Sequence, residues 1–415
     1  SGTKVEGNSN IGNMFYNKSS LAVLDVSSFD TSKATNMSDM FNGCSSLTTL
    51  DVSNFNTSKV TSMYQMFYNC SSLKEIDVSF WDVSNVDEME NMFYNCSSLT
   101  TLKIYRWNTS KCVKMNGMFD GCSSLYSLDV HNFITNRVTN MSNMFFGCKK
   151  LTELDVAKWD VYNVWSMKNM FCNCNSLTEL DVSNWDTRNV IDMNGMFDGC
   201  TNLTSLDVSK FNVLKVTDMG SMFNDCRGLS KLDLHTFYTC NVTNMSNMFY
   251  NCYSLTSLDL DSFVTYNVKT MQSMFMCCSK LSTLNLAIFN TSKVTDMSYM
   301  LAMCTNLQSV NVYNWNTSKV TNMNCMFMDC SNLTSLDLSG WDTSNVGNAM
   351  NNMFYGCSKL KTIKLGSKSK FASLVILGLS GYWKGTKSDL VYDSHTSGRN
   401  TFPSNVEDTY TRLDI

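Results

Sequence analysis

The chain has 415 residues, a formal net charge of −4 and only 16% charged residues, with 30 Met and 18 Cys against one Pro and three His. No long basic run is present, which argues against a nucleic-acid-binding surface. The longest mostly apolar run, Phe371 to Leu379, is too short to span a bilayer. Length alone would allow two or three ordinary domains. A repeat of fixed length displaces that expectation.

Residues 1–13 are polar and begin partway into a unit, so no N-terminal cap is evident. The array is expected to continue upstream, or its incomplete first unit to serve as a weak cap. From Met14 the dipeptide Met-Phe returns every 26 residues, at Met40, Met66, Met92 and onward to Met326, with Leu301 once replacing Phe. The last member, Met353, follows after 27 residues. One unit reads Leu47-x-x-Leu50-Asp51-Val52-x-x-Phe55, then Val60-x-x-Met63-x-x-Met66-Phe67-x-x-Cys70. Thr49 to Ser53 alternates polar and apolar, the period of a strand with Leu50 and Val52 inward. The spacing of three and four residues from Val60 to Cys70 predicts a turn and a short helix or 3₁₀ segment, too short to stand alone. Nine apolar columns per 26 residues cannot enclose a core within one unit, whereas stacked units can. The expected fold is an α/β repeat solenoid of about fourteen coils over residues 14–365, with a parallel sheet on one face. Beyond it, Phe371 to Leu379 is expected to close the last coil, and 366–415 to form a cap or linker.

The run Leu-Thr-x-Leu-Asp-Val-Ser-x-Phe/Trp, continued by Val-Thr-x-Met-x-x-Met-Phe-x-x-Cys-Ser-Ser, resembles the BspA-like leucine-rich repeats of bacterial surface proteins. The likeness covers about residues 11–365 and extends to Gly381-Tyr382-Trp383 and Asp408-Thr409-Tyr410-Thr411-Arg412. It implies a right-handed leucine-rich superhelix displayed outside a bacterial cell, often as an adhesin-like protein. It supplies no catalytic residues to carry over.

Thirteen Cys form one column from Cys44 to Cys357. They read as small buried thiols beside the Phe column, with a disulfide ladder or thiolate metal site as the alternatives. Two Met columns hold 27 of the 30 Met, and only Met276, Met303 and Met328 stray from them. The column containing Asp129, Asp155, Asp181, Asp207, Asp233 and Asp259 faces outward. Like charges one strand spacing apart repel by roughly 1 kcal/mol in water. Hydrogen bonds from neighbouring Ser and Thr are the expected remedy, and Ca²⁺ bound along the ladder is the sharper alternative.

Residues that break a surface column are better candidates for function than residues that obey it. Lys103 replaces Asp, Tyr105 and His131 replace Ser, Arg106 replaces Asn and Tyr126 replaces Thr. Together they offer aromatic surface with hydrogen-bond donors, a composition found at protein and carbohydrate contacts. Trp165, in a Thr-rich column, is a second anomaly. His131, His235 and His395 lie far apart, and no phosphate loop, metal-binding His pair or nucleophile motif occurs. Two classes of function remain, neither an enzyme. One is a surface module that binds a protein or glycan of a host or neighbouring cell. The other is a stiff spacer that displays another domain.

Overall fold

The computed structural model describes residues 8–372, 375–389, 391–393 and 402–413. The chain divides into two compact units, Ser1–Asn212 and Val213–Ile415, each a stack of repeating coils. In the first unit the apolar columns point inward. Val60, Met63, Met66, Phe67, Cys70 and Leu73 are fully buried, and Leu50, Val52 and Phe55 nearly so. The Phe67 ring stacks on Phe41 at 5.4 Å and on Phe93 at 5.3 Å, one step in a ladder that continues to Phe197. Each such side chain withdrawn from water contributes about 1.5–3 kcal/mol.

The extended segments are short. In the first unit β1 (Glu75–Asp77) pairs in parallel with β2 (Thr101–Lys103). In the second, β3 (Thr283–Leu284) pairs with β4 (Ser309–Val310), and β5 (Ser335–Leu338) with β6 (Thr362–Leu365). The Asp column sets this length. Asp51 Oδ1 accepts the Ser53 N–H at 2.9 Å, and the Phe55 N–H reaches the Val52 carbonyl at 3.1 Å. The chain therefore turns before a longer ladder can form.

The expected helical segment is corrected by the structure: among the described residues no helix forms, and a series of turns runs in its place. The N–H groups of Met66, Tyr68 and Cys70 donate to carbonyls three residues back. Those of Met63, Gln65, Phe67 and Asn69 instead donate to Glu88, Glu90, Met92 and Tyr94 of the next coil, at 2.7–3.0 Å. Gln65 and Asn69 have φ of 52° and 56°, in the left-handed region. One such residue at every fourth position stops a right-handed helix from propagating and redirects alternate N–H groups to the neighbouring coil. The two columns are filled mainly by Asn, Asp and Gly, the residues that tolerate this conformation. Asn13, Asp39, Asn91 and Gly117 stand in one, and Asn17, Gly43, Asn95 and Gly121 in the other.

Single parallel bridges mark the same face. They run Asn36–Ser62–Glu88–Lys114–Asn140–Ser166–Asp192 in the first unit and Asp218–Asn244–Thr270–Asp296–Asn322 in the second. The steadiest pairing between coils thus lies on the turn face and not on the expected strand face. Asn10 bridges to Asn36 and the Ile11 N–H donates to the Asn36 carbonyl, so residues 10–13 already form part of a coil.

Side chains complete the stacking. Cys70 Sγ donates to the Phe41 carbonyl at 3.2 Å, and Cys96 and Cys122 do the same to Phe67 and Phe93. Trp81 Nε1 donates to the Val52 carbonyl and Thr57 Oγ1 to that of Asp82. All eighteen Cys are free, and burial pushes the Cys122 thiol up to about 12. A thiol is small enough for the corner and can donate, which an Ala there could not do.

The second unit ends in a five-stranded sheet that adds β7 (Tyr382–Gly385), β8 (Val391–Asp393) and β9 (Asp408–Leu413), in the order β5-β6-β9-β7-β8. The antiparallel β9 covers the free edge of β6. Asp408, almost fully buried, anchors it by accepting the N–H groups of Lys387 and Ser388, both at 2.8 Å.

The left-handed columns make a direct prediction. Asn69→Ala should lower the unfolding free energy by about 1–2 kcal/mol, because Ala pays the left-handed cost and loses the bond from Asn95 Nδ2. Asn69→Gly should lose less. Urea unfolding followed by circular dichroism measures both, and equal loss in the two variants would refute the conformational cause.

Candidate binding surface

The two positions after each strand sit where the chain turns away from the core, and in most coils they carry Ser, Asn or another polar residue. In three consecutive coils of the first unit they carry Phe80, Tyr105, Arg106 and His131. The Arg106 guanidinium lies 5.7 Å from the Phe80 ring centre and 5.5 Å from that of Tyr105. Both distances are those of a cation held over an aromatic face. Phe80 is 71% exposed and Tyr105 39%. Lys103 breaks the carboxylate column and places Nζ 2.9 Å from Asp77 Oδ2. The Ser79 hydroxyl first, and then Lys103, hold the Asp77 carboxyl down at about 2.

On the next coil His131 Nδ1 hydrogen-bonds Asp129 Oδ1, and the exposed Tyr126 accepts the Thr152 N–H on its carbonyl at 3.3 Å. The structure therefore groups Lys103, Tyr105 and Arg106 on one coil and sets Tyr126 and His131 beside them. Trp165 stands elsewhere, next to the bridge column at Ser166. Its N–H donates to Thr139 and its carbonyl accepts from the exposed Ile191, both at 2.9 Å. Tyr162, three residues before it, lies under the Arg188 guanidinium at 5.6 Å. His395 falls outside the described residues.

Phe80 was missed from the sequence although it gives the same signal as Arg106. It occupies the column that holds Ser28, Asn54 and Asn132 in other coils. The distance between the Arg106 and Phe80 side chains, however, emerges only from the register of two coils.

The carboxylates continue from this cluster. Asp129, Asp155, Asp181 and Asp207 in the first unit, and Asp233 and Asp259 in the second, are all exposed. Each accepts on Oδ1 the N–H two residues later. The Ser183 hydroxyl adds a bond of 2.7 Å to Asp181 and is the main cause of its lowered pKa, with the Ser183 N–H second, against partial burial and, more weakly, Asp207. A shallow depression of about 590 Å³ lies over this column in the first unit. Asp129, Glu153, Asp155, Glu179 and Asp181 line it, with Leu128, Leu154 and Leu180 between them. Among the described residues no group of three or more His, Cys, Asp or Glu is placed to hold a metal ion. The arrangement offers an acidic trough bordered by an aromatic and cationic edge.

Coils of this length, with Leu, Phe or Trp, Met and Cys columns turned inward, define a leucine-rich-repeat solenoid, a repeat scaffold of the BspA-like type. The chain belongs to the family described as "Mycoplasma protein of unknown function, DUF285", whose model matches residues 4–102, 88–205, 166–285 and 277–367. Among solved structures it is similar to a leucine-rich repeat protein from Bacteroides ovatus, at 18% identity over 67% of this chain and 82% of that one, with a TM-score of 0.26. A leucine rich cell surface protein from Faecalibacterium prausnitzii is 16% identical over 84% and 81%, with a TM-score of 0.31. A leucine-rich repeat protein from Eubacterium ventriosum is 15% identical over 77% and 83%, with a TM-score of 0.33. None of the curated proteins compared matches the chain. Among the described residues no helix is long and apolar enough to cross a membrane.

The Asp77 carboxyl sits at about 2 in the folded chain against an ordinary 3.8. A depressed carboxylate stabilises the fold above its ordinary value, and that contribution is lost as pH falls through about 2. Between these limits the melting temperature should fall more steeply in the wild type than in Asp77→Asn. Parallel curves from thermal melts across that range would contradict the assignment.

Proposed function

We propose that the chain is a protein-binding repeat scaffold of a bacterial cell surface, adhesin-like, that takes up a partner protein on the strand face of its first unit. The observation that carries this reading is the Arg106 guanidinium set against both the exposed Phe80 ring and the Tyr105 ring, at a turn that carries Ser, Asn or another polar residue in most coils. Aromatic residues and Arg dominate the binding energy of protein contacts. Here the rings already hold the guanidinium, so less rotamer entropy is lost on binding. The adjoining trough of Asp129, Glu153, Asp155, Glu179 and Asp181 favours a partner with Lys or Arg opposite it, since complementary charge steers encounter and fixes register. The Asp column needs no cation in this role, because Ser and backbone donors already serve it. In the same proposal residues 14–365 are the display array, and β9 within 366–415 closes its end.

Arrays of immobilised matrix proteins, host-cell proteins and glycans test this. Saturable binding to a basic protein is expected, weakened at least about tenfold in Tyr105→Ala/Arg106→Ala and weakened further by salt. Trp165→Ala, on the other column, should leave it unchanged. Binding to glycans alone would overturn the choice of partner. No saturable binding at all would favour the rigid spacer.

A further inference from the structure

Five of the eight sulfur-bearing residues that stray from the repeat fall within one turn of three consecutive coils. Apart from the regular columns the chain has three Met, at 276, 303 and 328, and five Cys, at 112, 172, 240, 277 and 325. All three stray Met and two of the stray Cys fall on three consecutive coils of the second unit, within the same turn. Cys277 and Met303 occupy the second left-handed column, one coil apart, and Met276 and Met328 occupy the column immediately before it.

The backbone holds these turns in register. The Cys277 N–H donates to the Ala302 carbonyl at 2.9 Å, and the Met303 N–H to that of Met328 at 2.6 Å. Side-chain sulfurs meet as a result: Cys277 Sγ lies 3.4 Å from Met303 Sδ. Met303 is 38% exposed, so the pair can be reached from solvent, while Cys277 is almost covered. Cys325, by contrast, is directed onward to the Asn351 carbonyl.

These residues stand where the coil calls for something else. Cys277 has φ 64° and Met303 φ 60°, and the same column holds Asn69, Asn95 and Asn251 in other coils. A bulky residue in the left-handed region costs about 1–3 kcal/mol. Packing does not require sulfur there, since Asn and Gly fill the position elsewhere.

We propose that Cys277 and Met303 form a binding site for a soft monovalent cation, Cu(I). Thiolate and thioether sulfurs select Cu(I) over the hard cations that carboxylates prefer. On binding, the Cys277 thiol gives its proton to water and a sulfur–copper bond replaces the sulfur–hydrogen bond, with no change of oxidation state. The metal supplies the charge that makes a buried thiol give up its proton. The three rotatable side-chain bonds of Met303 let Sδ move aside to admit the ion.

The test is anaerobic titration of the reduced, intact protein with Cu(I) held by bicinchoninate, whose colour reports copper withdrawn. The wild type should withdraw about one equivalent. Cys277→Asn/Met303→Asn, which restores the usual residue of the column, should withdraw none and should melt at or above the wild-type temperature. Met303→Leu, which keeps the bulk and removes the thioether, should weaken uptake at least about tenfold. The proposal is overturned if the wild type leaves the chelate intact, or if the double variant withdraws as much copper as the wild type.

Discussion

Each backbone N–H and C=O buried inside a stack must find a partner, and a 26-residue coil with no helix has few places to find one. The turn from Met63 to Cys70 solves this by alternation. Even-numbered N–H groups close local turns, and odd-numbered ones cross to the next coil. The left-handed residues at 65 and 69 make the alternation possible, and the rest of the coil follows from it. The turns fix the distance between coils, so Phe67 meets Phe41 and Phe93 face to face. That spacing also brings each Cys thiol under a Phe carbonyl of the preceding coil. The apolar core supplies the driving force, but the hydrogen-bonded turns decide which stack forms.

Much of the core was legible from the period. Leu50, Val52, Phe55, Met63, Met66 and Cys70 are inward as their spacing implies. What the period could not show is the sign of φ. Spacings of three and four suit a helix and also a chain of turns, and the difference lies in Gln65 and Asn69. Those polar columns rich in Asn, Asp and Gly carried the signal, as left-handed positions do. Hydrophobic periodicity gives such columns no weight. The strand expectation failed in length for a related reason, since an Asp placed just after an inward Leu reads equally as a solvent-facing strand residue and as the start of a turn.

The candidate surface was legible only in part. Tyr105 and Arg106 stood out as exceptions, while Phe80, an exception in the same column as Arg106, was passed over. Lys103, read as an aromatic cluster's donor, has its ammonium engaged by Asp77 and relieves the carboxylate column at the point where it interrupts it. Trp165 lies on another column and joins different neighbours. An array presents each column as a line, so two exceptions act together only when their columns adjoin. The sulfur corner of the second unit follows the same rule. Its residues break adjoining columns, and they do so at positions whose backbone penalises them.

Native-state amide hydrogen exchange, resolved by residue, tests the central claim most directly. If the turn face carries the stack, the amides of Gln65, Phe67 and Asn69 and their equivalents in other coils will be the slowest to exchange. Those of the 49–52 segment and its equivalents will exchange faster, because few of them cross to another coil. Slowest exchange along the strand columns, with rapid exchange at the turns, would contradict it.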